Sequence, residues 1–343
     1  MLETIRLQAG KPGDVERAAE LLRAGRLVAF ATETVYGLGA NALSAEAVAG
    51  IFAAKQRPAW DPLIVHIACA GEVDRIAKIS GELRERVERL AALWPGPLTM
   101  LLPRSEDVPD IVTAGRRLVG VRVPAHLAAQ ELLRVAGVPV AAPSANRFGH
   151  TSPTTADHVL ADLSGRIDAV LDAGPTQVGI ESTVLDVTQT PMVQYRPGAI
   201  TPRQIEDVCG VAVEIHVAAE QSGAPESLPS PGVGIRHYAP RAHVVLVEGA
   251  SVAVERKVME VAAKGGGSGR IGVLLPAGWV APQGVVVEPW AEWDHPHRLA
   301  ATLFSGLRAL DSRGVAFIVC PLPAAGGVYD AIRDRLLKAA RES

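Results

Sequence analysis

The chain has 343 residues, 48% of them hydrophobic, and its 34 basic and 37 acidic side chains give a net charge of −3. This length predicts two domains with packed cores, and the composition excludes an extended disordered chain. The balanced charge disfavours binding of nucleic acid through bulk positive charge, and the absence of an apolar run of about 20 residues argues against a membrane-spanning helix.

Helix and strand patterns alternate through the first 210 residues. They predict a helix over 14–24 with Asp14 as its N-cap, a strand over 27–31, and a helix that is capped by Ser44 and ends before Pro58. Further strands are predicted at 63–68, 99–103, 119–124, 138–143, 169–174, 182–187 and 193–197, and further helices at 82–94, 126–136, 154–163 and after Thr201. Strands outnumber helices between 95 and 200, which favours a mixed sheet over a purely parallel one.

The segment 218–234 is rich in Pro, Ser, Gly and Ala, which is typical of a linker. After it, predicted strands at 243–249, 271–276, 284–289 and 315–323 alternate with predicted helices at 251–264, 297–310 and 328–341. This alternation predicts a small doubly wound parallel sheet. We therefore divide this α/β chain into a first domain at 1–210, a linker at 211–240 and a second domain at 241–343.

The three cysteines, Cys69, Cys209 and Cys320, are far apart and form no CxxC pair. Their positions in or beside predicted elements indicate small buried thiols in a reducing compartment, not a disulfide framework or a zinc site. The N-terminus lacks the basic and apolar pattern of a signal peptide. We expect a cytoplasmic protein with no membrane partner.

Lysine is rare in this chain, yet Lys55 stands two residues before Arg57 at the end of a predicted helix. Cations at a helix C-terminus commonly complement the helix dipole, so position alone favours a structural role for both. The loop 32–42, TETVYGLGANA, follows a predicted strand and offers hydroxyls, an acid and glycines, as a ligand-binding loop would.

Polar side chains also lie near the ends of other predicted strands. Arg122 lies in an apolar strand, where it either points to solvent or offers a forked site for a carboxylate. Ser144 and Asn146 follow a buried strand at the edge where α/β sheets bind ligands, although turn and cap roles are common for these residues. One Lys, several Arg, hydroxyls and an amide suit a nucleoside triphosphate, with Mg²⁺ held mainly by the phosphates and water.

These motifs, in this order, resemble the threonylcarbamoyl-AMP synthase family, which carries a YrdC-like domain. The matching residues are Lys55-Gln56-Arg57, Ser144-Ala145-Asn146, TETVYGLGANA, PLIVHI (62–67), WPGPLT (94–99), GVRVP (120–124), ESTVLD (181–186) and RPGAIT (196–201). The resemblance covers roughly residues 5 to 205, and SPGVGIRHYAP (230–240) with the following α/β domain is similar to the long form of the family. It implies a twisted mixed sheet with helices and a concave ligand site, followed by a smaller Rossmann-like domain.

The resemblance implies a nucleotidyltransferase that condenses L-threonine, bicarbonate and ATP to threonylcarbamoyl-AMP and pyrophosphate. Mg²⁺ would enter with the ATP phosphates. A separate threonylcarbamoyl transferase complex would then modify tRNAs that read codons beginning with A, so this chain would meet tRNA only indirectly.

The resemblance also implies a role for individual residues. Lys55 and Arg57 would be catalytic and, with Asp61, Ser144, Asn146, Ser152, Arg196, Arg236, His237 and Tyr238, would bind ATP. Threonine would meet Thr34, His66, Arg122 and Ser182. The linker would lie over the active site, and no side chain is expected to hold a metal.

Two alternatives stay open from the sequence. A concave sheet with local basic residues could bind RNA without catalysis, although the net charge and the lack of an aromatic stacking motif disfavour this. A carbamoyl transferase acting in metallocentre maturation is disfavoured because the zinc-finger cysteines of such proteins are missing. Threonine- and bicarbonate-dependent release of pyrophosphate would distinguish the synthase from an RNA-binding module.

Overall fold

The computed structural model describes residues 2–216, 238–263 and 270–341. The chain divides into two compact units. Among the described residues, the first unit contains 2–148, 153–177 and 181–216, and the second contains 149–152, 178–180, 238–263 and 270–341. The domain limits at 210 and 240 stay predictions, because most of the segment between them lies outside the described residues. The sequence pattern did not indicate that 149–152 and 178–180 group with the second unit.

The first unit contains eleven strands and seven α-helices within the described residues. The strands are β1 (Ile5–Gln8), β2 (Val28–Phe30), β3 (Gly37–Asn41), β4 (Ile64–His66), β5 (Leu98–Pro103), β6 (Leu118–Arg122), β7 (Val140–Ala141), β8 (Ala169–Asp172), β9 (Thr183–Asp186), β10 (Met192–Arg196) and β11 (Val213–Ile215). The helices are α1 (Asp14–Arg23), α2 (Ala45–Lys55), α3 (Gly81–Leu90), α4 (Asp110–Thr113), α5 (Leu127–Ala136), α6 (Ala156–Leu163) and α7 (Pro202–Cys209).

The strands form one sheet in the order β1-β8-β2-β3-β7-β4-β6-β5-β9-β10-β11. Its pairings are mixed: β4 pairs with β6 in parallel and with β7 antiparallel, and β5 pairs with β9 in parallel and with β6 antiparallel. The predicted mixed sheet is therefore confirmed. Because neighbours in this order are distant in sequence, loops from remote parts of the chain follow adjacent strands.

Helix ends follow the predicted capping chemistry in two cases. The Ser44 hydroxyl accepts a hydrogen bond from Ala47 N at 3.2 Å at the start of α2, and Thr201 forms a capping box with Gln204 at the start of α7. Asp14 was expected to be the N-cap of α1, but Gly13 takes that position. The Asp14 carboxylate instead accepts a hydrogen bond from the backbone N of Gln8 at 2.9 Å, which ties the helix to β1.

The expected loop at 32–42 is only partly a loop, because residues 37–41 form β3. A Cβ atom at Gly39 would lie 2.8 Å from Val140 Cγ1 and 2.9 Å from Phe30 Cε1. The glycine is thus explained by the close packing of side chains from neighbouring strands. The sequence pattern missed this strand because glycine is depleted in strands and is read as a turn signal.

Apolar side chains cover both faces of the sheet. Along β2, Val28 and Phe30 belong to the cluster beneath α1 and α5, whereas Ala29 belongs to the cluster that contains α2 and α3. This alternation follows the two-residue period of a strand. The core therefore holds the strand ends in place from both sides.

The second unit has a four-stranded parallel sheet in the order β12-β15-β13-β14. Its strands are β12 (His243–Glu248), β13 (Ile271–Pro276), β14 (Val286–Trp290) and β15 (Phe317–Leu322), and its helices are α8 (Ser251–Val261), α9 (Pro296–Ser312) and α10 (Val328–Ala339). The predicted parallel sheet is confirmed. A Cβ at Gly306 would meet Leu274 Cδ1 at 2.5 Å, so this glycine lets α9 pack closely on β13.

Two of the three thiols are buried as predicted, namely Cys209 and Cys320. The prediction is wrong for Cys69, which is exposed because it lies beyond the end of β4 and precedes a short 3₁₀ helix. Among the described helices, none combines the length and the apolar character that crossing a bilayer would require.

Candidate active site

Ten of the predicted site residues lie in the first unit. They are Thr34, Lys55, Arg57, Asp61, His66, Arg122, Ser144, Asn146, Ser182 and Arg196. All of them are buried except Ser144, which is half-buried. Charged side chains are rarely buried unless they are paired, so the partners of these groups indicate what holds the site together.

Lys55, the last residue of α2, holds the loop that follows β7. Its side chain is fully buried, and Nζ donates hydrogen bonds to the backbone oxygens of Ser144 and Asn146. Its own carbonyl accepts a hydrogen bond from Phe148 N at 2.9 Å. An ammonium group has three donors, so these carbonyls leave one N–H for a ligand. Lys55 thus connects the lysine motif at 55–57 to the serine motif at 144–146.

The environment of Lys55 disfavours its charged form. Burial lowers the pKa of Lys55 well below its ordinary value, the nearby Arg57 charge lowers it further, and Asp61 and Asp162 oppose the shift. A polyanion placed beside this amine would favour its protonated form again. The site is therefore suited to gain a positive charge when an anionic ligand enters.

Arg57 and Asp61 form a buried ion pair immediately after α2. Arg57 Nη2 lies 2.8 Å from Asp61 Oδ2, and the two side chains are 3% and 1% exposed. Arg57 also donates from Nε to the backbone O of Asp61 at 3.1 Å and from Nη2 to the backbone O of Pro62 at 2.8 Å. The ring of Phe148 lies 6.0 Å from the guanidinium carbon. These contacts fix the orientation of the guanidinium plane.

Arg122, at the end of β6, is buried, so the alternative that it points to solvent is excluded. Its Nε donates to the backbone O of Gly96 at 3.2 Å, and its Nη1 donates to Thr34 Oγ1 at 2.9 Å. Its Nη2 lies 2.7 Å from Glu33 Oε1 in a second buried ion pair. Arg122 is therefore a rigid, forked cation of the kind that binds carboxylates.

His66 ends β4 and lies opposite Arg122 in the parallel register of β4 and β6. Burial lowers the pKa of His66 to about 3, with a further contribution from the Arg122 charge. His66 is therefore neutral near pH 7. Its Nδ1 is buried without a hydrogen-bond partner in the described part of the chain, so it is available to a ligand.

Ser182 and Arg196 are in contact, although they were assigned to different ligands. Arg196 donates from Nε to the backbone O of Ser182 at 3.0 Å and from Nη2 to Ser182 Oγ at 3.1 Å. The same hydroxyl lies 2.8 Å from Thr99 Oγ1. The contact arises because β9 and β10 are antiparallel neighbours.

Gly96 links the Arg122 group to the Ser182 group. Its carbonyl accepts the Arg122 Nε hydrogen bond, and the next carbonyl, of Pro97, accepts a hydrogen bond from Thr183 N at 2.9 Å. A Cβ at Gly96 would lie 2.4 Å from Leu93 O, so a larger residue would displace this turn. The motif at 94–99 therefore connects Arg122 to Thr183 through two successive carbonyl groups.

Ser152 and Tyr238 belong to the second unit. Ser152 is buried, and its carbonyl accepts a hydrogen bond from Arg308 Nε at 3.3 Å. The Tyr238 ring is buried and stacks on Phe304, with 5.6 Å between ring centroids. Arg236 and His237 lie outside the described residues. The predicted nucleotide contacts of these four residues stay predictions.

Sequence reasoning missed Glu33 and Phe148 as parts of this site. The available signal for Glu33 was its position between two threonines, as the acid of the predicted ligand-binding loop at 32–42. Its pairing with Arg122 could not be read from the sequence, since the two residues are distant along the chain. Phe148 gave no signal beyond its position after the serine motif.

The described residues contain no group of three or more His, Cys, Asp or Glu side chains that could hold a metal ion. The two acids nearest the buried cations, Glu33 and Asp61, each form an ion pair with an arginine. This donor set does not fit a magnesium ion held by protein carboxylates.

Comparisons with known proteins assign the chain to a family. Residues 20–198 match the sequence profile of the Sua5, YciO and YrdC family, whose description reads "Telomere recombination", and residues 200–341 match "Threonylcarbamoyl-AMP synthase, C-terminal domain". A protein of Pyrococcus abyssi named "Threonylcarbamoyl-AMP synthase" is 44% identical over 324 residues, which cover 94% of this chain and 92% of that relative. A Bacillus subtilis protein of the same name is 42% identical over 331 residues, with coverages of 95% and 92%.

The fold has a counterpart among solved structures. The crystal structure of P. abyssi Sua5 complexed with L-threonine matches with a TM-score of 0.88 and 39% identity, covering 98% of this chain and 97% of that one. The predicted combination of a YrdC-like sheet and a parallel-sheet domain is thereby confirmed. The chain therefore belongs to the Sua5, YciO and YrdC family and resembles its two-domain members that are named threonylcarbamoyl-AMP synthase.

Proposed function

We propose that this protein is a threonylcarbamoyl-AMP synthase that makes threonylcarbamoyl-AMP and pyrophosphate from L-threonine, bicarbonate and ATP. The observation that carries the proposal is the set of four buried cations in the first unit, Lys55, Arg57, Arg122 and Arg196, each fixed by hydrogen bonds to neighbouring loops. Relatives that match nearly the whole chain and bear this name support it.

The reaction needs positive charge where two anions approach each other. The threonine amine attacks bicarbonate to give N-carboxythreonine and water, and the new carboxylate then attacks the α-phosphorus of ATP as pyrophosphate leaves. Anion attack on a polyanion is slow unless preorganised cations offset the repulsion. We assign this role to Lys55 and Arg57, which would make the enzyme a nucleotidyltransferase that works by positioning and charge without a covalent intermediate.

Threonine would bind around Arg122. The guanidinium would hold the α-carboxylate, while Thr34, His66 and Ser182 would meet the remaining polar groups. The contact between Arg122 and Thr34 and the register of His66 opposite Arg122 support this grouping. The neutral His66 ring can accept or donate a hydrogen bond at Nδ1, as the side-chain hydroxyl of threonine requires.

The nucleotide would bind along the loop after β7. Lys55 holds the carbonyls of Ser144 and Asn146, which supports a role for that loop in seating ATP. Arg196 would meet the phosphates, and Asp61 would act through its ion pair with Arg57. Ser152, Arg236, His237 and Tyr238 would complete the nucleotide site, with the linker placed over it.

Mg²⁺ would accompany ATP through the phosphates, because the carboxylates beside the cations are already ion-paired. The product would pass to a separate threonylcarbamoyl transferase complex that modifies tRNA, and we propose that these steps occur in the cytoplasm. The protein would then have no need for a broad basic surface, in agreement with its net charge of −3.

The test is a direct assay of the full chain with ATP, Mg²⁺, L-threonine and ¹³C-bicarbonate. We expect pyrophosphate release that requires both threonine and bicarbonate, and mass spectrometry should detect a threonylcarbamoyl-AMP that carries one ¹³C. Pyrophosphate release without threonine, or binding of RNA without any turnover, would contradict the proposal. The second outcome would favour the RNA-binding alternative.

A further inference from the structure

The buried pair of Glu33 and Arg122 has features that the family motifs do not explain. The two side chains are 6% and 4% exposed, and their charged atoms lie 2.7 Å apart. Burying two opposite charges gives little net stability, since the desolvation of each ion offsets their attraction. A function other than stability is therefore a reasonable explanation for the pair.

The hydrogen-bond inventory shows unused capacity on both partners. A guanidinium has five N–H donors, and the hydrogen bonds of Arg122 to Gly96 and Thr34 use two of them. Its Nη2 lies beside Glu33 in the ion pair but makes no hydrogen bond within the described residues. One N–H on Nη1 and both N–H groups on Nη2 therefore remain for a ligand. Glu33 Oε1 faces Arg122, and both carboxylate oxygens of Glu33 are buried without a hydrogen-bond partner among the described residues. The backbone O of Glu33 accepts a hydrogen bond from Gln177 N at 3.2 Å, which fixes its place in the loop.

Unused donors on a cation next to an unused acceptor on an anion match one ligand chemistry, namely a zwitterion. We propose that Glu33 binds the α-ammonium group of the amino-acid substrate while Arg122 binds its α-carboxylate. This inference rests on the proposed function, because it assigns a further residue to the threonine site. The four charges would then alternate in sign, so that each one has an opposite neighbour.

The surroundings favour an ammonium group at this position. Glu33 pairs with Arg122, and its charge also opposes the lowering of the pKa of His126 by burial. His66, opposite Arg122, is neutral near pH 7 because its pKa lies at about 3. It therefore adds no positive charge that would repel the ligand.

The pair also predicts which ligands are rejected. A ligand that has a carboxylate but no ammonium group would place a second negative charge beside Arg122, which Glu33 already neutralises. No positive charge on such a ligand would compensate the charge of Glu33. We therefore expect the site to select α-amino acids against the corresponding 2-hydroxy acids. The expected discrimination is roughly 10- to 100-fold, the scale of one hydrogen bond between charged groups.

The experiment measures binding of two ligands to the full chain by calorimetry: L-threonine and 2,3-dihydroxybutanoate, in which a hydroxyl replaces the amine. Glu33→Gln should weaken threonine binding roughly 10- to 100-fold and strengthen dihydroxybutanoate binding, because Arg122 then lacks its counter-charge. ATP binding should stay the same. Glu106→Gln, which removes an exposed carboxylate from the surface pair with Lys78, is the matched control and should change neither ligand.

The opposite response of the two ligands separates recognition from a structural role. If Glu33 only positions Arg122, Glu33→Gln should weaken both ligands together, and that result overturns the proposal. If Glu33→Gln fails to fold, binding to the wild-type protein and to Glu33→Asp tests the proposal instead. Both proteins must bind threonine at least about tenfold more tightly than dihydroxybutanoate. Equal affinity of the wild type for the two ligands also overturns it. Failure of the proposed function would appear separately, as an absence of threonylcarbamoyl-AMP in the wild-type assay.

Discussion

Replacing Lys55 by methionine tests whether this side chain holds the loop after β7, where we propose that ATP binds. Methionine keeps most of the apolar stem but has no donor, so the backbone oxygens of Ser144 and Asn146 lose the hydrogen bonds that Nζ supplies. A hydrogen bond to a charged group contributes about 1.5–3 kcal/mol. Because burial lowers the pKa of Lys55, part of that gain is already offset by desolvation of the ammonium. We expect a net loss of stability of about 1–3 kcal/mol.

The effect on catalysis should be much larger than the effect on folding. The variant loses both the loop contacts and the positive charge that we assign to the phosphates, so kcat/KM for ATP should fall by about 10²-fold or more. Threonine affinity should change less than about threefold, since Arg122 is held by separate contacts. Pyrophosphate release at saturating threonine and bicarbonate measures the first quantity, and calorimetry with threonine measures the second.

Lys78→Met is the matched control for this variant. Lys78 is a lysine of the same unit whose side chain is 62% exposed and pairs with Glu106 on the surface. It should keep wild-type turnover and stability, because exposed ion pairs contribute little. If Lys55→Met kept turnover within about threefold of the wild type while remaining folded, the assigned role of Lys55 would be refuted.

Three further predictions concern the other buried groups. Asp61→Asn leaves the Arg57 guanidinium buried without its counter-charge, so the free energy of unfolding in denaturant titrations should fall by about 3–5 kcal/mol. The pKa of His66 is about 3 in the native state and ordinarily 6.5, so between these pH values the native state binds fewer protons than the unfolded chain. The contribution of His66 to stability is therefore lost as the pH falls through that window. From pH 6.5 to about pH 4.5 the wild type should therefore lose about 2–3 kcal/mol more than His66→Gln. Gly96→Ala should weaken threonine binding about tenfold in calorimetry, because the new Cβ displaces the turn that supplies a carbonyl to Arg122.

Each of these has an outcome that contradicts it. Asp74→Asn removes a surface partner of Arg84 and serves as the control for Asp61→Asn. Equal decreases in the free energy of unfolding in the two variants would show that breaking the buried pair is no more destabilising than breaking a surface pair. Parallel pH dependence in the wild type and His66→Gln would show that His66 titrates normally. Wild-type threonine affinity in Gly96→Ala would show that the turn can shift without disturbing Arg122.

Local patterns in the sequence were sufficient to predict most helices and strands. Ser44 and the Thr201-Pro202 pair define helix starts because their capping bonds are made within a few residues. The strand β3 was missed because its glycines serve packing against Phe30 and Val140, and those partners are known only after the strand order is known. Local chemistry could not supply that order.

The candidate site was predictable as a set of residues but not as a set of contacts. The motif around Lys55 and Arg57 and the position of Arg122 were identified from the sequence and its resemblance to a family. Their partners were not, because Glu33 reaches Arg122, and Ser144 reaches Lys55, only through the sheet order β3-β7-β4-β6. Buried ion pairs between distant segments leave no periodic signal in the chain.

The most direct test of the account is a crystal structure of the full chain with L-threonine and a non-hydrolysable ATP analogue. We predict that the threonine carboxylate lies within about 3 Å of the Arg122 terminal nitrogens, and that phosphate oxygens lie within about 3 Å of Lys55 Nζ and the Arg57 guanidinium. Either ligand bound elsewhere, with these four buried cations still bonded only to the protein, would contradict the central claim.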